Sequence, residues 1–267
     1  MDIVEDTSII FIDIDGTLTN SERKITKNTK KIIKQVIDKD ILVVLCSGRP
    51  NDFTIRKSKL VKASNYVISN SGNLVYDYKN DETIFVNEIP RDYLIEIYNY
   101  CYKNKMDCVF NGITENYQNK YSIRDRRVIH SVDDIKEPIC QLCVTADTLD
   151  EALEFKKMIE DSNYFAFGYM SENIIKKIEN DYEYNFDVMC KKSGKGYGIK
   201  KLLKYLNIPV EETMCFGDYI NDYSMFKECD ITVAMGNGTP KLKRLSDYVT
   251  LTNDEDGVAV FLEDNLL

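Results

Sequence analysis

The sequence predicts an α/β protein carrying a second, α+β module, and three observations lead there. Short continuous apolar runs at Ile9–Ile12, Ile41–Cys46 and Thr213–Phe216 read as strands buried on both faces, as parallel sheets require. Segments of helical period separate such runs, so strand, helix and strand recur as βαβ units. Between about Asp81 and Asp187 the texture changes: tyrosine and asparagine become frequent and the apolar runs less uniform. The expected division is residues 1–81 and 188–267 for the α/β core and 82–187 for the inserted module.

Each element has a local reason. Thr26 can cap a helix to about Lys39, with Ile32, Ile33, Val36 and Ile37 on one face. Strand Ile41–Cys46 follows and stops at Ser47-Gly48-Arg49-Pro50, at the same sheet edge as Asp13 if the two strands are parallel neighbours. A helix over Asp52–Val61 leads to strand Tyr66–Ser69, and Asn70-Ser71-Gly72-Asn73 turns it back into Leu74–Tyr76 as a hairpin. In the insert, Pro90 suits the start of a helix to about Asn104, and Thr148 or Asp150 opens another to about Asp161. Strands are expected at Cys108–Asn111, Ile139–Ala146, Tyr164–Tyr169, Ile174–Ile178 and Phe186–Cys190, with Gly112–Ile135 the least regular stretch. The α/β pattern resumes with helix Lys195–Leu206, strand Thr213–Phe216, strand Ile231–Ala234, strand Tyr248–Leu251 and a last helix near Gly257.

Composition bounds the function. At 43% hydrophobic the chain builds real cores, and a net charge of −9 argues against a general nucleic-acid binder while leaving room for a local anion pocket. Met1–Ser8 is polar and acidic, unlike a secretory signal, and no apolar run approaches a bilayer span. Eight cysteines are too sparse for a disulfide scaffold, so a reducing, cytoplasmic home is the default. Cys140 and Cys143 form a C-x-x-C, yet on a strand they would point to opposite faces, which disfavours a zinc or redox reading.

The chemistry gathers at strand ends. Ile9–Ile12 runs into Asp13, Asp15, Gly16, Thr17 and Thr19, and carboxylates are costly to bury unless paired or bound to metal. Asp13 with Asp15, Ser47, Lys195, and Asp218 with Asn221 and Asp222 all fall at strand ends or a helix start. Carboxylates with carbonyl oxygens suit a hard cation such as Mg2+, and a lysine, a hydroxyl and turn N–H groups suit a phosphoryl group. With His130 the one histidine and no P-loop pattern, neither zinc nor a P-loop nucleotide site is supported. Taken singly, each set also has a plainer reading: Asp13 and Asp15 as turn and cap, Ser47-Gly48 as punctuation, Lys195 as a solvated lysine, Asp218 as a helix cap. Arg49 could anchor substrate or form a salt bridge to the insert; Arg124, Arg126 and Arg127 could face an anion or simply solvent.

D-x-D-G-T at Asp13–Thr17, S-G-R at Ser47–Arg49, K-G at Lys195-Gly196 and G-D-x-x-N-D at Gly217–Asp222 resemble, in order, the four motifs of the haloacid-dehalogenase-like (HAD) phosphatases. The long insert between the second and third is most similar to the Cof-type subfamily. The resemblance implies a Rossmann-like parallel sheet flanked by helices, with an α+β cap of the C2B type that sets specificity. It implies Asp13 as nucleophile and Asp15 as general acid and base, and Ser47, Gly48, Lys195 and Asn221 as phosphate-binding residues. The implied cofactor is Mg2+, with Asp13, Asp15 through its carbonyl, Asp218 and Asp222 as the metal set; Asp222 would orient Lys195 or a metal-bound water. The implied activity is hydrolysis of small phosphorylated metabolites such as sugar phosphates or pyridoxal and flavin phosphates. No nucleic-acid or membrane partner is implied. A phosphomannomutase-like phosphotransferase and a non-catalytic phosphometabolite-binding protein are the alternatives. One departure stands out: Ser71-Gly72 occupies the place where the subfamily commonly has Asn-Gly.

Overall fold

A computed structural model describes residues 6–176 and 183–267, and the chain divides into two compact units, residues 1–85 with 194–267 and residues 86–193. Along the first stretch run β1 (Ile9–Ile12), α1 (Lys27–Ile37), β2 (Leu42–Cys46), α2 (Asn51–Val61), β3 (Tyr66–Ser69), β4 (Leu74–Asp77) and β5 (Glu82–Val86). The insert contributes α3 (Arg91–Lys103), β6 (Asp107–Asn111), β7 (Asn116–Gln118), β8 (Arg127–Val128), β9 (Gln141–Ala146), α4 (Leu149–Asp161), β10 (Phe165–Met170), α5 (Glu172–Lys176) and β11 (Tyr184–Cys190). The chain then returns with α6 (Lys195–Leu206), β12 (Thr213–Gly217), α7 (Tyr223–Phe226), β13 (Ile231–Ala234), α8 (Pro240–Leu245), β14 (Tyr248–Val249) and α9 (Gly257–Leu266).

In the first unit the strand order is β14-β13-β12-β1-β2-β3-β4-β5. All pairs from β14 to β3 are parallel, and the β3–β4 hairpin is antiparallel. The chain builds outward from β1 in one direction and from β12 in the other, so the order reverses between them. Such a switch point opens a crevice at the carboxyl ends of the strands. β1 explains its own sequence. Ile10 and Ile12 enter one core with Ile32, Ile33 and Val36 of α1 and Val258 and Leu262 of α9. Ile9 and Phe11 enter the other with Ile199, Leu202 and Leu203 of α6. A strand between two helical layers has no solvent face, and the continuous apolar run follows.

The second unit has a six-stranded sheet in the order β10-β11-β9-β6-β7-β8, and α3 and α4 pack into one core with the sheet residues Cys108, Phe110, Leu142, Val144 and Phe186. Thr26 caps α1, and Thr148 caps α4 with Glu151 completing a reciprocal capping box. All eight cysteines are free thiols.

Three expectations change. The strand expected at Ile174–Ile178 is helical over Glu172–Lys176, with residues 177 and 178 outside the described ones; the buried Ile174 beside the exposed Ile175 is a pattern that a strand and a helix share. The core sheet extends past residue 81 through β5, whose charged flanks concealed an edge strand. The return crossing falls at 193/194 rather than inside β11, which belongs whole to the second unit. No helix among the described residues is long and apolar enough to cross a membrane.

Candidate active site

Asp13 continues β1: its N–H donates to Phe216 O on β12 at 3.1 Å, so its side chain is fixed at the switch point and is 4% exposed. The chain must then turn sharply. Gly16 has φ +85°, which strains any other residue, and a Cβ there would lie 2.4 Å from Asp218 Oδ2, so the Asp218 carboxylate would have to move. The turn brings Thr17 Oγ1 to donate to Asp218 Oδ1 at 2.8 Å. Asp15, two residues past Asp13, points toward the rim and takes a forked ion pair from Arg49, Nε to Oδ2 at 2.8 Å and a terminal nitrogen to Oδ1 at 3.2 Å.

Ser47 follows β2 and is buried. Its Oγ accepts from Arg49 N–H at 3.1 Å and its carbonyl from Ser71 N–H at 3.1 Å. The 70–72 turn therefore packs on the loop after β2, with Asn70 and Ser71 both left-handed at φ +50° and +56°. Gly48 lies close to both loops: a Cβ there would be in ordinary contact, 3.4 Å from Ser71 Oγ and 3.9 Å from Asn221 Nδ2. Ser47, Gly48, Ser71 and Asn221 thus converge.

The start of α6 is wedged between the 70–72 turn and α7. A Cβ on Gly72 would sit 2.0 Å from Gly194 O, and one on Gly196 2.0 Å from Ser224 O. Glycines on both sides of Lys195 let the helix start approach its neighbours closely, and this holds the Lys195 side chain inward at 1% exposure. Its Nζ donates to Asp13 Oδ1 and, at 2.6 Å, to Asp222 Oδ1. Asp222 Oδ2 accepts from the N–H groups of Asp218 and Tyr219 at 2.9 and 3.0 Å, closing the turn after β12.

Asp13, Asp218 and Asp222 each offer an oxygen within 4.8 Å of one another. Burial drives the Asp13 carboxyl well above its usual range; Lys195 opposes this, while Asp222 and Asp218 reinforce it. Burial pushes Asp218 up to about 6, helped by Asp222 and resisted by the Thr17 hydrogen bond. Burial would lower Lys195, but Asp13 and Asp222 more than offset it and hold the ammonium protonated. Three carboxylates therefore face one ammonium, a surplus of negative charge that fits a cation. Every donor is a hard oxygen, which suits Mg2+ better than zinc.

Asp13, Asp218, Asp222 and Lys195 form one cluster, with Ser47, Gly48 and Asn221 in the adjoining loops of the same unit; the Asp15 side chain lies outside the carboxylate cluster. Three residues make contacts that the sequence did not assign to them. Thr17 orients Asp218. Arg49 pairs with Asp15. Asn237 Nδ2 donates to Gly16 O at 2.8 Å and pins the β1 turn. The available signal for Asn237 was a Gly-Asn-Gly turn directly after a strand of the same sheet. In the insert, Arg124 pairs with Asp107 and Arg127 with Glu115.

A family model described as haloacid dehalogenase-like hydrolase matches residues 10–262. The chain is similar to the phosphatase YwpJ of Bacillus subtilis, 29% identical over 94% of this chain and 97% of that protein. It is 27% identical to the 5-amino-6-(5-phospho-D-ribitylamino)uracil phosphatase YcsE of the same organism, over 95% of this chain and 94% of the other. Among solved structures, a haloacid dehalogenase-like hydrolase from Bacteroides thetaiotaomicron superposes with a TM-score of 0.84 at 24% identity, covering 97% of this chain and 99% of that one.

Proposed function

We propose that this chain, which belongs to the haloacid dehalogenase-like hydrolase family and is a phosphatase, is a Mg2+-dependent hydrolase of small phosphorylated metabolites working through an aspartyl-phosphate on Asp13. The observation that carries this is the buried Asp13–Lys195–Asp222 chain with Asp218 beside it, at the switch point of the sheet.

The residues divide the work. An Asp13 carboxylate oxygen attacks phosphorus; the bond from phosphorus to the leaving oxygen breaks, and that oxygen takes a proton from Asp15. Asp15 then takes a proton from the water that attacks the aspartyl-phosphate, releasing phosphate and restoring Asp13. Lys195 holds Asp13 in place and shares its positive charge with the transferring oxygens. Ser47, the Gly48 backbone and Asn221 bind the remaining phosphoryl oxygens. Mg2+ would be held by Asp13, Asp218 and the Asp15 carbonyl, and would supply charge neutralisation when bound. Asp222 gives Oδ1 to Lys195 and Oδ2 to two N–H groups, so its task here is to orient Lys195 and the loop. The small-metabolite class is supported by the relative YcsE, whose named substrate is a phosphorylated pyrimidine. The inserted unit would set specificity.

A panel of phosphorylated metabolites, assayed for phosphate release with and without Mg2+, tests the reading. Sugar phosphates or phosphorylated cofactors should be hydrolysed only with the metal. Phosphoryl exchange between sugar positions with little phosphate release would replace it with a phosphotransferase.

A pH prediction follows from Asp218. Its carboxyl in the fold is raised to about 6, so the metal-free fold binds a proton there that the unfolded chain has already lost. That contribution is present at acid pH and fades as pH rises through about 6. The same proton competes with metal. Calorimetric Mg2+ affinity should weaken as pH falls through about 6, where Asp218 takes up its proton. Affinity unchanged between neutral pH and 5 would remove Asp218 from the metal set.

A further inference from the structure

Phosphate binding and metal binding leave the forked contact between Arg49 and Asp15 unexplained. An acid/base carboxylate works only when one oxygen already sits where the proton must move. The side chain of Asp15 is 38% exposed on the turn after β1, and among the described residues the side-chain hydrogen bonds to its oxygens come from Arg49. Arg49 is itself held. Its N–H donates to Ser47 Oγ, its carbonyl accepts from Asn70 N–H at 2.9 Å, and its guanidinium lies 5.5 Å from the Phe53 ring centroid. Two parallel N–H···O contacts from a planar fork set the rotation of a carboxylate, which a single ammonium cannot do.

We propose that Arg49 is the positioning residue of Asp15: braced by Phe53 and the Ser47 loop, it sets the carboxylate plane before substrate arrives. This rests on the acid/base reading of Asp15. Arg49 itself exchanges no proton. The proton passes from Asp15 to the leaving oxygen as its bond to phosphorus breaks, and Arg49 fixes the oxygen that gives it.

The test compares kcat/KM on para-nitrophenyl phosphate, whose leaving group needs little protonation, with that on β-glycerol phosphate, whose alkoxide needs it. This parameter ends at phosphoryl transfer to Asp13, so it reads leaving-group protonation apart from intermediate hydrolysis. Asp15→Asn should lose about 100-fold or more on the alkyl ester and far less on the aryl ester. Arg49→Ala should show the same asymmetry, about tenfold against about threefold. Arg49→Lys should stay near Arg49→Ala, and added guanidinium ion should restore part of the alkyl-ester rate to the alanine variant. Equal losses on both esters in Asp15→Asn would overturn the acid/base reading. A normal Asp15→Asn pattern, with Arg49→Ala losing both esters alike or neither, would overturn this proposal alone; a shared rise in KM would make Arg49 a phosphate ligand instead.

Discussion

Asp13→Asn should abolish turnover and leave the fold standing. The amide keeps the shape of the side chain and can still accept from Lys195 Nζ, so the buried pairing with Asp222 survives. What disappears is a charged oxygen able to form a bond to phosphorus. On the proposed mechanism, in which Asp13 forms the covalent intermediate, this should cost about four orders of magnitude or more in kcat. Stability should be unchanged or higher, because burial already drives the Asp13 carboxyl up and Asp222 and Asp218 add to the crowding. Acid-quenched peptide mapping should find phosphoryl on the Asp13 peptide of the active enzyme and none in the variant. An Asn variant within about tenfold of wild type would place the chemistry elsewhere.

That these residues gather could be read from sequence because parallel sheets put their strand ends at one edge. Once Ile9–Ile12 and Thr213–Phe216 read as buried strands of a parallel sheet, Asp13 and Asp218 were both expected at strand ends, and the structure makes the two strands neighbours. The pairing registers Ile9↔Thr213 and Ile12↔Phe216 are those of adjacent parallel strands. Lys195 was harder: in a lysine-rich stretch its charge says nothing, and only the flanking glycines, which meet Gly72 and Ser224 across the fold, explain why it is buried. The partners of Arg49, Thr17 and Asn237 are set by tertiary contacts between loops, which leave no periodic trace in the chain. The same limit hid β5, where half-exposed residues at a sheet edge need not alternate, and made Ile174–Lys176 look like a strand.

Lys195→Met should produce the largest loss of stability among single substitutions at the site. The ammonium is 1% exposed and bonds two carboxylates that are themselves buried. Removing it leaves Asp13 and Asp222 without their cation in a low-dielectric interior, which should cost about 3–5 kcal/mol near neutral pH. The cost should depend on pH with a definite sign. Asp13 has a raised carboxyl in the fold, and losing Lys195 removes the contact that opposed the rise, so the variant takes up a proton there more readily. A group raised above its unfolded value stabilises at low pH and loses that effect as pH rises, so the deficit of the variant should narrow toward pH 5. Mg2+ should recover part of it by returning positive charge to the cluster, though not the activity, because the Lys195 contact that holds Asp13 is gone. The chain has no tryptophan and two units, so hydrogen exchange at the β1 and β12 amides is the suitable reporter of opening at the site. Protection equal to wild type near neutral pH would mean that the carboxylates do not both carry charge in the resting fold. The lysine would then matter to catalysis alone.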